Sequence, residues 1–384
     1  MNIFSSPQGD FSLKRYPDTK DNQLRAWDAA DEYILLQLAE QKSLSDNSKL
    51  LILNDAFGAI SVALAKHKPT CFNDSFLSQQ AISNNLNQNH LDPKNLSLQH
   101  NLKSLADVYD VVIIKIPKNL AMLEDELFQL RQHCNEHTII LAAAMSKHIH
   151  TSTLKLFERI MGTTTTSLAR KKARLVICKF NSSLKPGSSP YPGQYTLKID
   201  GDTNENTTGE KYINHANVFS REKLDLGSRF LLHHIPQSHH YTNILDLACG
   251  NGVLGIAAAQ HNPVANICFV DESYMAIASA KINAKNLLED FSKCDFKVTD
   301  CLQGIENNSL DLIINNPPFH QDHVVGDFIA WQMFNEAKQK LNKGGEIIVV
   351  GNRHLGYHIK LKKLFGRCEM VASNKKFVIL KATK

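Results

Sequence analysis

Asn316-Pro317-Pro318-Phe319 follows directly on an apolar run, Leu310-Asp311-Leu312-Ile313-Ile314-Asn315. Such a tetrapeptide can surround a planar –NH2 group. The side-chain oxygen of Asn316 and the backbone carbonyl of Pro317 can each accept one N–H, and Phe319 offers an aromatic face. An exocyclic amine on a base is a poor nucleophile, because its lone pair is delocalised into the ring. Two acceptors turn that lone pair toward an electrophile and stabilise the charge that develops on nitrogen. The prolines hold the backbone extended and remove competing donors. Stacking on Phe319 is worth about 1–3 kcal/mol. The chemistry implied is a direct displacement by the amine, in which placement is the main demand. A base inside a helix must first be extruded, so a loop or unpaired base is the easier target.

A second element lies upstream. Ile244-Leu245-Asp246-Leu247 leads into Gly250-Asn251-Gly252-Val253-Leu254-Gly255, which fits G-x-G-x-x-G after a strand. Glycine lets the backbone turn sharply and come close to a ligand. Asp271 follows about twenty residues later, where a carboxylate can accept both hydrogen bonds of a ribose diol. Nicotinamide dinucleotides and S-adenosylmethionine fit this much equally. Three features favour the second. Asp246 sits where a carboxylate would meet an ammonium and would repel a pyrophosphate. Asp300, after the run Phe296-Lys297-Val298-Thr299, can accept from an adenine amino group. A dehydrogenase has no use for Asn-Pro-Pro-Phe. The cofactor-binding candidates are therefore Asp246, Gly250, Gly252, Asp271, Asp300 and Asn316, and the catalytic candidates are Asn316, Pro317 and Phe319. A bare strand-to-helix turn would explain the glycines, and a proline turn closing a strand would explain the tetrapeptide. Their order in one domain argues against both explanations.

The histidines, His320 and His323 and the pairs His233-His234 and His239-His240, show no zinc-ligand spacing and are expected at the surface or against substrate. Trp331 and Phe334 fall at helical spacing and are expected in the core. We expect no metal. The eight cysteines are scattered without a Cys-x-x-Cys pair, which fits free thiols in a reducing compartment. The chain has 384 residues, 43% hydrophobic and 21% charged, enough for two ordinary domains. No apolar run reaches the length of a membrane span, and the first residues carry no basic-then-apolar leader. These features predict a cytoplasmic monomer with no membrane partner. The net charge of +5 is modest, but its distribution is uneven. From Arg353 to Lys384 there are nine Lys/Arg against one acid, Glu369, and a second basic run is Arg170-Lys171-Lys172-Ala173-Arg174. Each is a solvated surface taken alone, and a phosphate contact if it faces a cleft.

The chain is duplicated in outline. Residues 181–193 are rich in Pro, Gly and Ser, and 201–210 are polar. On either side, short apolar runs alternate with longer amphipathic stretches such as 276–288 and 324–341. Leu50–Gly58 parallels Asn243–Gly250; Phe72–Ser75 parallels Phe269–Ser273; Tyr109–Ile114 parallels Leu310–Ile314; Thr138–Leu141 parallels Glu346–Val349; Lys171–Lys179 parallels Lys375–Lys381. We expect two tandem doubly wound α/β domains, residues 1–182 and 210–384, joined by a linker at 183–209. The last two runs, 369–372 and 377–381, predict a terminal antiparallel hairpin. The first half lacks the ligand signals: it has Gly58 alone for the glycine-rich turn, and Lys115-Ile116-Pro117-Lys118 in place of Asn316–Phe319. It reads as a catalytically silent copy that helps hold substrate.

These residues resemble the bacterial rRNA guanine-N2 methyltransferases of the RsmC/RlmG type, in which a degenerate methyltransferase domain precedes the active one. The resemblance rests on Ala216–Arg221 with Leu224–Phe230, Val270–Ser273, Asn316–Gln321, Asn352–Leu355 and Asn374–Val378. It is strong over 210–384 and looser over 1–180, and is nearest to the branch acting on 23S rRNA. It implies class I, Rossmann-like domains. It further implies that the Asp246 turn, Asp271 and Asp300 bind S-adenosylmethionine, that Asn316 to Phe319 hold a guanine of large-subunit rRNA, and that Asn217 to Ser220 close over the cofactor. One departure is Ala248-Cys249-Gly250, where Gly-Cys-Gly is usual; one added methyl should leave cofactor binding intact. Alternatives are the same chemistry on a 16S rRNA guanine, on an adenine N6 amine of another nucleic acid, or on a glutamine amide. Further from it stand a nicotinamide-dependent oxidoreductase and a non-catalytic rRNA-binding factor.

Overall fold

The strand Asn243–Leu247 divides its side chains between two cores, as a strand buried on both faces must. Ile244 packs with Ile256, Ile267, Phe269 and Ala280, while Leu245 and Leu247 pack with Val270, Phe334, Ala337 and Leu361. In the computed structural model, which describes residues 3–18, 24–197, 209–318 and 323–384 without the side chains of 323–327, such strands form two seven-stranded sheets. The chain divides into two units, Met1–Tyr191 and Pro192–Lys384, with one sheet in each.

The sheet of the second unit contains, in chain order, Asn243–Leu247, Asn266–Asp271, Cys294–Val298, Leu310–Asn315, Leu341–Asn352, Glu369–Ser373 and Phe377–Thr383. Numbered so, the spatial order is 3-2-1-4-5-7-6. The first five are parallel, and the seventh runs antiparallel to both the fifth and the sixth. Helices Leu226–Leu232, Val253–His261 and Tyr274–Leu287 cover one face; His323–Lys340 and Tyr357–Phe365 cover the other. The terminal hairpin and the two long helices lie where the sequence puts them. Phe334 is buried and Trp331 half-buried beneath Lys363.

The first unit repeats this order with Leu50–Leu53, Thr70–Phe72, Ser97–Gln99, Val111–Lys115, Ile139–Met145, Gly162–Thr166 and Ala173–Phe180. Leu53 pairs with Phe72 and Ile114, as Leu247 pairs with Val270 and Asn315. On that register Gly58 (φ 89°) corresponds to Gly252 (φ 83°) rather than to Gly250.

Each sheet is preceded by a small antiparallel hairpin, Ile3–Ser6 with Gly9–Ser12 and Gly193–Thr196 with Lys211–Asn214. Gly193–Thr196 lies inside the stretch expected as linker. Its Tyr195 stacks on Tyr212 with ring centroids 5.8 Å apart. Four residues among Pro and Gly carry too short an alternation to read as a strand. One asparagine fastens each hairpin to its glycine turn. Asn85 accepts from Lys14 N (2.9 Å) and donates to Lys14 O and Phe57 O (2.8 and 2.7 Å). Asn283 accepts from Ile213 N (2.7 Å) and donates to Ile213 O and Asn251 O (2.9 and 3.0 Å).

Asn283 is fully buried. Asn283→Ala leaves backbone groups of Ile213 without partners. It should destabilise the second unit by about 2–4 kcal/mol in urea unfolding.

Candidate active site

The glycine turn starts where the first strand of the second unit ends. Ala248, Gly250 and Gly252 all have left-handed φ, 58°, 55° and 83°. For Ala248 that conformation costs about 1 kcal/mol, so the substitution that looks harmless in the sequence carries strain. Gly252 begins the helix Val253–His261, and a Cβ there would stand 3.0 Å from the Cβ of Ala280. A methyl on Gly255 would overlap the Phe269 ring. The helix therefore packs flush, with its first turn over the strand end. A Cβ on Gly250 would meet nothing within 4 Å, so open space lies above the turn.

Three acids stand at or just past the carboxyl ends of the first three parallel strands. Asp246 is buried, and its Oδ2 accepts from Gly255 N at 2.8 Å while Oδ1 has no partner. Burial pushes its carboxyl up to about 7; the Gly255 N–H opposes the rise and the charge of Asp271 adds to it. Asp271 ends the second strand and ties the turn together, accepting from Gly250 N (2.9 Å) with Oδ2 and from Ser273 N (3.0 Å) with Oδ1. Asp300 is buried, with Oδ1 accepting from Gln332 Nε2 at 3.2 Å.

The fourth strand delivers Asn316. Its Nδ2 donates to Asp225 Oδ2 (3.2 Å) and to Ser228 Oγ (2.9 Å). Asp225 caps the helix Leu226–Leu232 through Ser228 N. Both donor hydrogens are thereby used, and Asn316 Oδ1 is left buried without a partner. A Cβ on Gly227 would lie 3.0 Å from Asp225 Oδ2 and 3.7 Å from Asn316 Nδ2, so the packing keeps this contact tight. Pro317 is buried. Phe319, His320 and Gln321 lie outside the described residues, as does the side chain of His323. Asn315 donates to Leu247 O at 2.8 Å, and its Oδ1 is also unpartnered. Among described residues of this unit, the buried side-chain polar atoms without partners are four oxygens, on Asp246, Asn315, Asn316 and Asn352. All four belong to the carboxyl ends of parallel strands. Asp225, Ser228 and Asn352 lie in segments that carry the family resemblance but take no site role from it, and Asn315 reads in the sequence only as the end of an apolar run.

The segment before the first strand runs along the helix Tyr274–Leu287: His215 N donates to Ser279 Oγ (3.0 Å) and Asn217 N to Met275 Sδ (3.4 Å). Among the described residues no group of three His, Cys, Asp or Glu is placed to hold a metal, and no helix is long and apolar enough to cross a membrane.

The first unit fills the same positions differently. Ile52 stands in register with Asp246, Ala56 with Gly250, Asn73 with Asp271 and Lys115 with Asn316. Lys115 Nζ pairs with Asp28 Oδ1 (2.8 Å) and Asp31 Oδ1 (2.7 Å), and Asp28 caps the helix Ala29–Glu40. An ion triad thus stands where the second unit has Asn316, Asp225 and Ser228.

Family models match the chain in two stretches. Residues 1–182 match the family model described as the RLMG N-terminal domain, and 210–381 match the methyltransferase small domain. Ribosomal RNA large subunit methyltransferase G of Klebsiella pneumoniae is 48% identical over 376 residues, 97% of this chain and 96% of the relative. The protein of that name from Streptomyces avermitilis is 44% identical over 380 residues, 99% of this chain and 98% of the relative. The chain belongs to the ribosomal RNA large subunit methyltransferase G family. It is a methyltransferase, and both halves have the Rossmann-like fold expected. Among solved structures, the T. Thermophilus 16S rRNA N2 guanine methyltransferase (RsmC), in complex with AdoMet and guanosine, superposes with a TM-score of 0.75 at 19% identity, covering 100% of this chain and 97% of that one.

The raised Asp246 carboxyl makes stability pH-dependent. The folded state keeps its proton up to about pH 7, whereas an ordinary aspartate loses it near 3.8. Stability from this residue is therefore full at low pH and is lost as pH rises from about 4 to 7. Asp246→Asn cannot ionise, so its unfolding free energy should fall less between pH 5 and pH 8 than that of the native protein, read from denaturant melts without ligand.

Proposed function

We propose that this methyltransferase transfers a methyl group from S-adenosylmethionine to the exocyclic N2 amine of a guanine in 23S rRNA. The observation that carries the reading is the set of unpartnered buried acceptors at the strand ends. Oxygens sealed without donors each cost about 1–3 kcal/mol, and a ligand rich in N–H groups would recover it. An ammonium and a guanine edge are such groups; a pyrophosphate is not. The names of the relatives, matched over nearly the whole chain, support rRNA and its large subunit as the target.

Asp246 Oδ1 would hold the ammonium of the methionine part, and the charge of that group would favour the ionised carboxylate. Gly250 and Gly252 keep the turn low enough for close approach. Asp271 accepts from the ribose diol and Asp300 from the adenine amino group. The bound cofactor supplies a methyl on a sulfonium, so no acid is needed for departure. Asn316 Oδ1 and the Pro317 carbonyl would accept the two N–H groups of the guanine amine, with Phe319 the sequence's candidate for the stacking face. With both hydrogens held, the lone pair of the amine would be directed toward the methyl donor, and the nitrogen would give up a proton after transfer. Asp225 and Ser228 are positioning residues. They occupy the Asn316 amide nitrogen, so that the oxygen is what the guanine meets.

The test is incubation of the protein with labelled S-adenosylmethionine and unmodified 23S rRNA, 16S rRNA, tRNA and DNA in parallel, followed by nucleoside identification. Label in N2-methylguanosine from 23S rRNA alone is the expected result, and label in N6-methyladenine would overturn the substrate. Asn316→Ala should lower kcat about 100- to 1,000-fold, as losing one preorganised charge-stabilising group does. Asp225→Ala and Ser228→Ala should each lower kcat about tenfold with cofactor affinity unchanged, the mark of a misdirected amide.

A further inference from the structure

Asn352 ends the fifth strand of the second unit, beside the strand that delivers Asn316. The pairing of Asn315 with Val349, continued to the end of the strand, sets Asn352 level with Pro318. Val350 shares a core with Ile314, and side chains two residues on return to the same face. Asn352 and Asn316 therefore stand on one face of adjacent strands. Asn352 is also in register with Phe377, whose ring would lie 3.4 Å from a Cβ on Gly227, the point that is 3.7 Å from Asn316 Nδ2. Asn352 Oδ1 is buried without a partner.

Resting on the function proposed above, we propose that Asn352 Oδ1 accepts the N1–H of the target guanine and so makes this a guanine site. Any base held by its exocyclic amine presents the neighbouring ring position to the next wall of the pocket. In guanine the N1 position carries a hydrogen. In adenine and cytosine the ring nitrogens beside the amine carry lone pairs at the target edge. A fixed acceptor meets a donor in the first case and another acceptor in the others. Asn316 and Pro317 alone do not discriminate, because each of these bases offers a planar –NH2. Discrimination by a polar group works because the wrong ligand leaves that group buried and unpaired.

The experiment uses the full-length protein and 23S rRNA carrying, at the mapped target position, guanine, 2-aminopurine or 6-thioguanine. 2-Aminopurine keeps the amine and loses N1–H; 6-thioguanine keeps both. The native protein should lose about 10- to 100-fold in kcat/KM on 2-aminopurine, the size of one lost hydrogen bond with a stranded partner, and stay within about threefold on 6-thioguanine. Asn352→Ala should bring guanine down to the 2-aminopurine level, so that the ratio between them falls to about one. Asn352→Asp keeps an acceptor and should keep the discrimination. If Asn352→Ala retains the native ratio while still binding S-adenosylmethionine, the inference is overturned. That failure is distinct from failure of the proposed function, which would appear as no transfer to guanine N2 by the native protein on any rRNA.

Discussion

A buried oxygen that finds no hydrogen is an expense that folding ordinarily avoids, because the group gives up its bond to water and gets nothing back. Among the described residues of the second unit four such oxygens survive, on Asp246, Asn315, Asn316 and Asn352, and they share one edge of one sheet. Parallel strands make this possible. Their ends stop together at the rim, and the crossing helices close over the sheet but leave the rim open. The glycine turn supplies the other requirement. With no side chain at Gly252 and Gly255, the helix Val253–His261 sits hard against Phe269 and Ala280, and Asp246 is shut away from solvent beneath it. The carboxyl pushed up to about 7 is the electrostatic sign of the same enclosure.

The amide of Asn316 shows how orientation is fixed without rigidity in the residue itself. A free asparagine can present either its oxygen or its nitrogen. Here the nitrogen is engaged by a helix-capping aspartate and the serine three residues after it, so the oxygen alone remains. In the first unit the corresponding helix cap, Asp28 with Asp31, holds Lys115 instead. The three positions are the same and the outcome is opposite. A lysine paired with two carboxylates presents no acceptor to an amine, and Ile52 stands where the second unit has Asp246. The strand order and the asparagine clamp are kept because they hold the fold, whereas at the position of Asn316 an internal ion triad has taken the place of an acceptor; the first unit still leaves Asn54 Oδ1, Asn101 Oδ1 and Ser146 Oγ buried without partners near its strand ends.

Much of this was legible in the sequence, and the exceptions have a common cause. The strand runs, the terminal hairpin, the glycine turn and Asn316 are local patterns, each written within a few consecutive residues. Asp225 and Ser228 lie 91 and 88 residues from Asn316 and look in the sequence like an ordinary helix start. Asn352 opens a segment that carries the family resemblance, but its place beside another strand's end cannot be read from that segment. Gly193–Thr196 is hidden among prolines and glycines, and its pairing with Lys211–Asn214 is what makes it a strand. The parallel drawn between Gly58 and Gly250 fails by two residues because apolar runs alone do not set register; the pairing of Leu53 and Leu247 with their neighbours does.

The most direct test is a crystal structure of the protein with S-adenosylhomocysteine and guanosine bound. Asp246 Oδ1 should then lie within about 3.2 Å of the homocysteine ammonium, and Asn316 Oδ1 within the same distance of the guanine N2, with the amide nitrogen still on Asp225 and Ser228. Ligands seated away from this rim, or an Asn316 amide turned to donate to the base, would contradict the account.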